Sequence, residues 1–167
     1  MTPTFKSILM ATDFGPEAAT ALRLCALLAR QLGASIHLLH VARDPMVGVS
    51  NPELYGIDWA RLRDDVVTNA SKSLAALVAT CPDAPIMTEV AVGSPAETIV
   101  HAAHDLNADL IVMGHKERRG LGSMLIGSVA ERVIRVAPCS VMTVRPSGAT
   151  RVISGGAAVA AHEPVVA

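Results

Sequence analysis

Between Gly114 and Ser128 the chain reads GHKERRGLGSMLIGS. A phosphate held where a strand passes through a loop into a helix needs backbone N–H groups that converge on it. Glycine lets the chain come that close. The helix N-terminus adds a partial positive charge, and a hydroxyl at the helix start can donate one more bond. Gly114 closes an apolar run, Gly120 and Gly122 lie in the loop, and Gly127-Ser128 opens the next helix. Lys116, Arg118 and Arg119 bring cationic charge. The chemistry these residues suit is anion binding.

Two features stand against a simple reading. Ser128-Val129-Ala130-Glu131 is also a capping box, so Ser128 could serve only to cap its own helix. Glu117 places an acid inside the loop. Like charges ~4 Å apart repel by about 4 kcal/mol at an effective dielectric of ~20, a roughly thousandfold loss of affinity. In bulk water the same pair costs about 1 kcal/mol, and the flanking basic residues can pair with the acid. The loop is not a P-loop. Gly122 and Gly127 have the right separation, but Ser128 stands where that motif requires lysine.

Other candidate groups are weaker. Asp13 follows an apolar strand and stands where ligands bind in α/β sheets, though it could equally cap or pair within its loop. His101 and His104 are three apart on one helix and His115 lies in the loop, but no acid or cysteine has matching spacing, so no metal is expected. His37 and His40 flank a strand at an odd offset and face opposite sides of a sheet, which suits structural roles. No Ser/His/Asp or Cys/His order suggests nucleophilic catalysis. The reading is binding rather than turnover; with Asp13, a nucleotide phosphate and a divalent metal, slow hydrolysis stays open.

The elements that must position these groups alternate. Lys6–Thr12 is a continuous apolar run, as a strand covered on both faces requires. Pro16 and Glu17 open a helix that Gly33 stops. Ser35–Val41 is a second strand. Residues 42–57 form a long connection, and Asp58 caps a helix to about Thr80 with its apolar stripe on Trp59, Leu62, Val66, Ala70, Leu74 and Leu77. Met87–Val92 is a third strand. Ser94-Pro95-Ala96-Glu97 reads as a capping box opening a helix to about Leu106. Ala108–Gly114 is a fourth strand, residues 128–136 a fourth helix, and Ser140–Arg145 a fifth strand. Such alternation means right-handed βαβ units and a three-layer α/β/α sandwich on a parallel sheet. Ser147–Ala167 is small, Gly/Ala-rich and aperiodic, and reads as a flexible tail after a domain of residues 1–146, with a tail strand that pairs with another subunit as the alternative.

Composition limits the function classes. The chain has 167 residues, enough for one domain without staples, and a formal net charge of −1. That charge argues against binding nucleic acid or an anionic membrane by bulk electrostatics. One Trp, one Tyr and two Phe give no stacking platform for single strands and leave an aliphatic core. Cys25, Cys81 and Cys139 form no CxxC pair and read as buried hydrophobes in a reducing compartment. No signal peptide and no apolar run of ~18 residues is seen, so a cytoplasmic protein is expected.

Over about residues 4–146 the sequence resembles the universal stress protein family. The resemblance is carried by KSILMATDFG, LLHV, VGSPAETIV and, most specifically, DLIVMG…GSVAERVIRVAPCSVMTVR. It implies a five-stranded parallel sheet of order 3-2-1-4-5 and a homodimer in which the exposed edge of strand five, Ser140–Arg145, pairs with its mate. The family's nucleotide-binding branch carries glycine, two residues, glycine, nine residues, glycine, then serine or threonine. Gly114, Gly127 and Ser128 match; Glu117 takes the place of the middle glycine. The resemblance further implies ATP, with Mg²⁺, as ligand. Asp13 would face ribose or phosphates, Val41 would meet adenine through its backbone, and Met113 and Val129 would line the site. The alternative it leaves is a dimeric stress protein without nucleotide, acting through protein contacts.

Overall fold

The computed structural model describes residues 5–47, 56–114 and 127–145, together with the backbone of 150–153. The elements in chain order are β1 (Ser7–Thr12), α1 (Ala18–Leu32), β2 (Ser35–Ala42), α2 (Trp59–Val78), β3 (Ile86–Val92), α3 (Pro95–Asp105), β4 (Leu110–Gly114), α4 (Ser128–Val136), β5 (Ser140–Val144) and β6 (Thr150–Ile153). The five strands expected from the sequence are parallel and lie in the order 3-2-1-4-5, with helices on both sides.

Strand side chains alternate between faces, and the core divides accordingly. Ile8, Met10, Ile36, Leu38, Leu110 and Val112 turn toward α1 and α2. Leu9, Ala11, Leu39, Ile111 and Met113 turn toward α3 and α4. A strand buried on both faces needs apolar residues at every position, which is why SILMAT and LIVMG read as runs rather than as alternations.

Helix ends follow local chemistry, with some departures. Gly33 closes α1 in the left-handed region at φ 68°, where glycine has no steric penalty. The Asp58 carboxylate accepts from Arg61 N at 3.0 Å and caps α2 as expected. Pro16 does not open α1. It sits at the second position of a turn closed by Ala18 N donating to Gly15 O at 2.9 Å, which uses the same fixed φ. Ser94 occupies the cap position of α3 with Pro95 at the first helical position, but its side chain makes no capping bond. The capping-box reading is corrected there, because Glu97 reaches across to Arg132 on α4 at 2.6 Å instead.

The largest departure is at β6. Its backbone pairs antiparallel with β5, in register from Val141↔Ile153 to Val144↔Thr150. The sheet therefore has six strands, and β5 is not its edge. The sequence reading of residues 147–167 as one flexible tail is corrected at Thr150–Ile153. The physical reason is that an edge strand pairs through backbone groups, and four residues are too few to display a period. A signal was present nonetheless: Thr150, Val152 and Ile153 are β-branched and suit extended backbone.

Candidate functional site

The order 3-2-1-4-5 places the switch in strand order between β1 and β4, which run parallel. Connections leave these two strands toward opposite faces, and the carboxyl ends of strands at such a switch are where open α/β sheets bind ligands. Register fixes what meets there. Ala11 pairs with Met113, Thr12 with His40, and Gly114 with Val144. Asp13 follows Thr12, and Val41 follows His40. Asp13, Val41, Met113 and Gly114 thus sit at one end of the sheet. Gly127, Ser128 and Val129 begin α4, which packs on the face carrying Met113. Val41, Met113 and Val129 belong to a single apolar cluster. Glu117, His115, Lys116, Arg118, Arg119, Gly120 and Gly122 lie outside the described residues, as do residues 48–55 of the connection after β2.

The turn after β1 is held tightly. Phe14 has φ 59°, a left-handed conformation that a non-glycine residue takes at a cost on the order of 1–3 kcal/mol. Three contacts hold it there. Thr12 Oγ1 accepts from Phe14 N at 3.1 Å. The Phe14 and His40 rings pack with centroids 4.3 Å apart. His40 Nδ1 lies 2.8 Å from Thr12 O, and because a carbonyl only accepts, Nδ1 carries the proton. Gly15 N donates to Asp13 Oδ1 at 2.9 Å, fixing the exposed carboxylate in its own turn.

Two carboxylate oxygens crowd the position a side chain at residue 15 would take. A Cβ there would fall 2.9 Å from Asp13 Oδ1 and 3.1 Å from Glu17 Oε2. The same geometry shows that two carboxylates converge beside Gly15. Glu17 also packs near the end of β4, since a Cβ on Gly114 would stand 3.7 Å from Glu17 Cβ, an ordinary contact. Among described neighbours, Gly114 is thus not demanded by crowding.

At the start of α4 the structure corrects the local reading of Ser128. Gly127, with φ −58° and ψ 147°, takes the cap position, and Ser128 is the first helical residue. Among the described residues no side chain caps the helix. Glu131 N donates to Gly127 O at 2.9 Å, so the N–H groups of Ser128, Val129 and Ala130 have no partner within the helix. The Glu131 carboxylate accepts from Arg135 Nη2 at 2.9 Å rather than reaching back to the cap. The capping box fails because glycine one residue earlier already supplies the extended cap conformation.

Reading residues alone missed the roles of Phe14 and Glu17, while His40, read as structural, braces the turn. Phe14 is one of two phenylalanines in the chain and stands directly after Asp13, which was the available signal. The cysteines lie elsewhere. Burial pushes the Cys25 thiol up to about 12, leaving it a poor nucleophile. Burial, followed by nearby Asp109, raises that of Cys139. His101 and His104 are exposed on α3, and among the described residues no group of three or more His, Cys, Asp or Glu is placed to hold a metal ion. No helix of the described residues is long and apolar enough to cross a membrane.

The universal stress protein family model matches residues 4–145. The chain belongs to the universal stress protein family. It is 31% identical over 144 residues to a universal stress protein of Methanocaldococcus jannaschii, covering 84% of this chain and 82% of the relative. Its fold matches that of UspA from Lactobacillus plantarum with a TM-score of 0.70 and 26% identity, covering 86% of this chain and 99% of that one. Two more distant universal stress proteins share the fold alone. One is in complex with cAMP (20% identity, TM-score 0.56, 86% of this chain and 98% of that one). The other, from Archaeoglobus fulgidus, is in complex with dAMP (23% identity, TM-score 0.54, 84% and 98%).

Proposed function

We propose that this universal stress protein binds an adenine nucleotide, ATP in the first instance, at the carboxyl ends of β1, β2 and β4. The observation that carries the proposal is the start of α4. Gly127 opens it without a side-chain cap among the described residues, and three first-turn N–H groups are left without helical partners near the switch in strand order. A helix end in that state suits a phosphate. Ser128, exposed and not engaged in capping, adds a hydroxyl donor. Gly114 and Gly127 allow the backbone a close approach. Val41 would meet the adenine through its backbone, and Met113 and Val129 would supply apolar lining. Asp13 would face ribose or phosphates. The nucleotide complexes of the two distant family members are consistent with this reading.

Asp13 and Glu17 make the metal part of the reading. Two carboxylates beside Gly15 would repel a polyphosphate, and both are hard oxygen donors of the kind Mg²⁺ takes together with phosphate oxygens. Mg²⁺ bound there would neutralise the repulsion, so nucleotide affinity should depend on it. The protein's own residues supply binding and orientation, and the proposed role is sensing or sequestering nucleotide rather than turning it over.

A second reading is favoured by Glu117. If that acid faces the phosphates, the site is closed and the protein acts through protein contacts. Calorimetric titration of the nucleotide-stripped protein with ATP, with and without Mg²⁺, separates the two. Micromolar binding that weakens at least tenfold in EDTA supports the first reading. An absence of heat at millimolar ATP with Mg²⁺ supports the second.

A further inference from the structure

The amino ends of β2 and β3 hold a cleft at the opposite end of the sheet from Asp13 and Gly127. It has a volume of about 560 Å³ and runs between the C-terminal half of α1 and the turn that joins α2 to β3. Small-molecule sites span roughly 300–1,000 Å³. The space exists because the residues around it are small. Ala29 and Ala34, both buried, line it, as do the half-buried Ala26 and Ala84. A Cβ on Gly33 would meet nothing within 4 Å. The facing turn is fixed by its own bonds. Cys81 N donates to Val78 O at 2.8 Å, and Ala84 N donates to Cys81 O at 3.2 Å. Pro82 and Pro85 stiffen it further. The cleft therefore has two set walls, a helix and a braced turn.

Charge tells what would fill it. Arg23 and Arg30 both line the cleft and stand two turns apart on one face of α1, roughly 10 Å along the axis. Ala26 and Leu27 lie between them on that face, and Leu27 is 55% exposed. Arg30 is in the last turn, where it also offsets the helix dipole. That account does not reach Arg23, which stands further up the helix and donates to Thr20 Oγ1 across a long 3.4 Å. Among the described residues neither arginine has a carboxylate within ion-pair distance. We propose that this cleft binds a small carboxylate with an apolar body, of the kind a medium-chain acyl anion provides. The Arg23 guanidinium takes the carboxylate through its fork of donors, and the body covers Ala26, Leu27 and Ala29. One arginine at each end, with the acid Asp83 on the facing turn, suits a head of one charge better than a phosphate carrying two. The site is independent of nucleotide.

Decanoate is the probe, titrated by calorimetry into the full chain at neutral pH. Half-buried Cys81 lines the same cleft, so its rate of alkylation by iodoacetamide reports occupancy. The parent should bind one decanoate per chain with a submillimolar Kd, and saturating decanoate should slow Cys81 alkylation at least tenfold. Arg23→Gln should weaken binding at least tenfold. Its urea midpoint and far-ultraviolet circular dichroism should stay those of the parent, since Arg23 is exposed. Ala26→Phe fills the cleft from its α1 wall and should abolish binding. Acetate has the head without the body and decanol the body without the head, and each should bind at least tenfold more weakly than decanoate. ATP with Mg²⁺ should leave the alkylation rate unchanged, which separates this site from the nucleotide reading. The proposal is overturned if millimolar decanoate gives no saturable heat or no protection of Cys81. It is equally overturned if Arg23→Gln binds as tightly as the parent, or if decanol protects Cys81 as well as decanoate does.

Discussion

His40 Nδ1 donates to the carbonyl of Thr12 across 2.8 Å, so a side chain of β2 fixes the point at which the chain leaves β1 for Asp13. The same ring packs on Phe14, whose left-handed backbone aims the Asp13 turn. The two contacts can be separated. His40→Phe keeps a ring against Phe14 but leaves the Thr12 carbonyl without its donor, at a cost of about 1 kcal/mol. His40→Ala loses the ring contact as well and should cost about 2 kcal/mol. Urea unfolding measures both. If the turn positions Asp13 for ligand, ATP affinity should fall severalfold in both variants. An unchanged affinity would assign the brace to stability alone.

Glu117 is the residue on which the two functional readings divide. Glu117→Gly removes a carboxylate and restores backbone freedom at the middle position of the glycine pattern. It should tighten ATP binding at least tenfold by calorimetry. An unchanged affinity would mean that the acid points away from the phosphates, where its effect in water is about 1 kcal/mol or less.

The fold was legible where burial is two-sided. LIVMG and SILMAT could only be covered strands, and their alternation with amphipathic stretches set the α/β class. Gly33 and Asp58 announced helix ends because each acts through its own backbone or side chain. Ser94 and Ser128 misled because a capping box is a local pattern. Glu97 found Arg132, which lies 35 residues away, and Gly127 took the cap ahead of Ser128. The same limit explains the site. Asp13 and Gly127 could be named from neighbours in sequence, whereas the His40 brace depends on the register of β1 with β2. The pairing of β6 with β5 likewise depends on a backbone edge, and the β-branched Thr150, Val152 and Ile153 suit a strand without naming its partner.

Ser128→Ala discriminates between the two roles weighed for that hydroxyl. Loss of a capping serine costs about 0.5–2 kcal/mol. Because Gly127 holds the cap position and Ser128 caps nothing, the substitution should change stability by no more than about 0.5 kcal/mol. Nucleotide affinity should fall if the hydroxyl meets a phosphate. Gly127→Val goes further, placing a branched side chain where the backbone must come close. It should abolish ATP binding while the far-ultraviolet circular dichroism stays that of the parent. Retained binding would make this junction a simple connector.

Cys25 predicts a pH dependence with a definite sign. Its folded-state value of about 12 exceeds the ordinary 9.0, so the folded protein holds the proton more tightly than the unfolded chain. This thiol has no effect on stability below pH 9. Above pH 9 the unfolded chain releases the proton and the folded protein does not, so stability should fall with pH between 9 and 12. Cys25→Ala should remove part of that slope, read from urea midpoints across the alkaline range. In native protein at neutral pH, iodoacetamide should reach half-buried Cys81 and leave buried Cys25 unmodified until the chain unfolds.

Helix α2 is the least anchored of the long elements. Of its 20 residues only Ala70 and Leu74 are buried, and its first three turns, including Leu62, stand largely exposed. The stripe expected from periodicity is present, but only its C-terminal half meets the sheet, where Leu74, Leu77 and Val78 pack on the α1 face of the core. Leu74 is therefore the main attachment. Leu74→Ala removes a fully buried side chain and leaves a cavity, a change that costs about 2–5 kcal/mol in close-packed interiors. Leu62→Ala, on the exposed half, should cost less than about 1 kcal/mol. Amide exchange locates the damage. In the Leu74 variant, α2 should lose protection before β1 and β4, because these central strands keep their own partners. If protection falls equally across the sheet, α2 is part of the global folding unit rather than a helix that opens on its own.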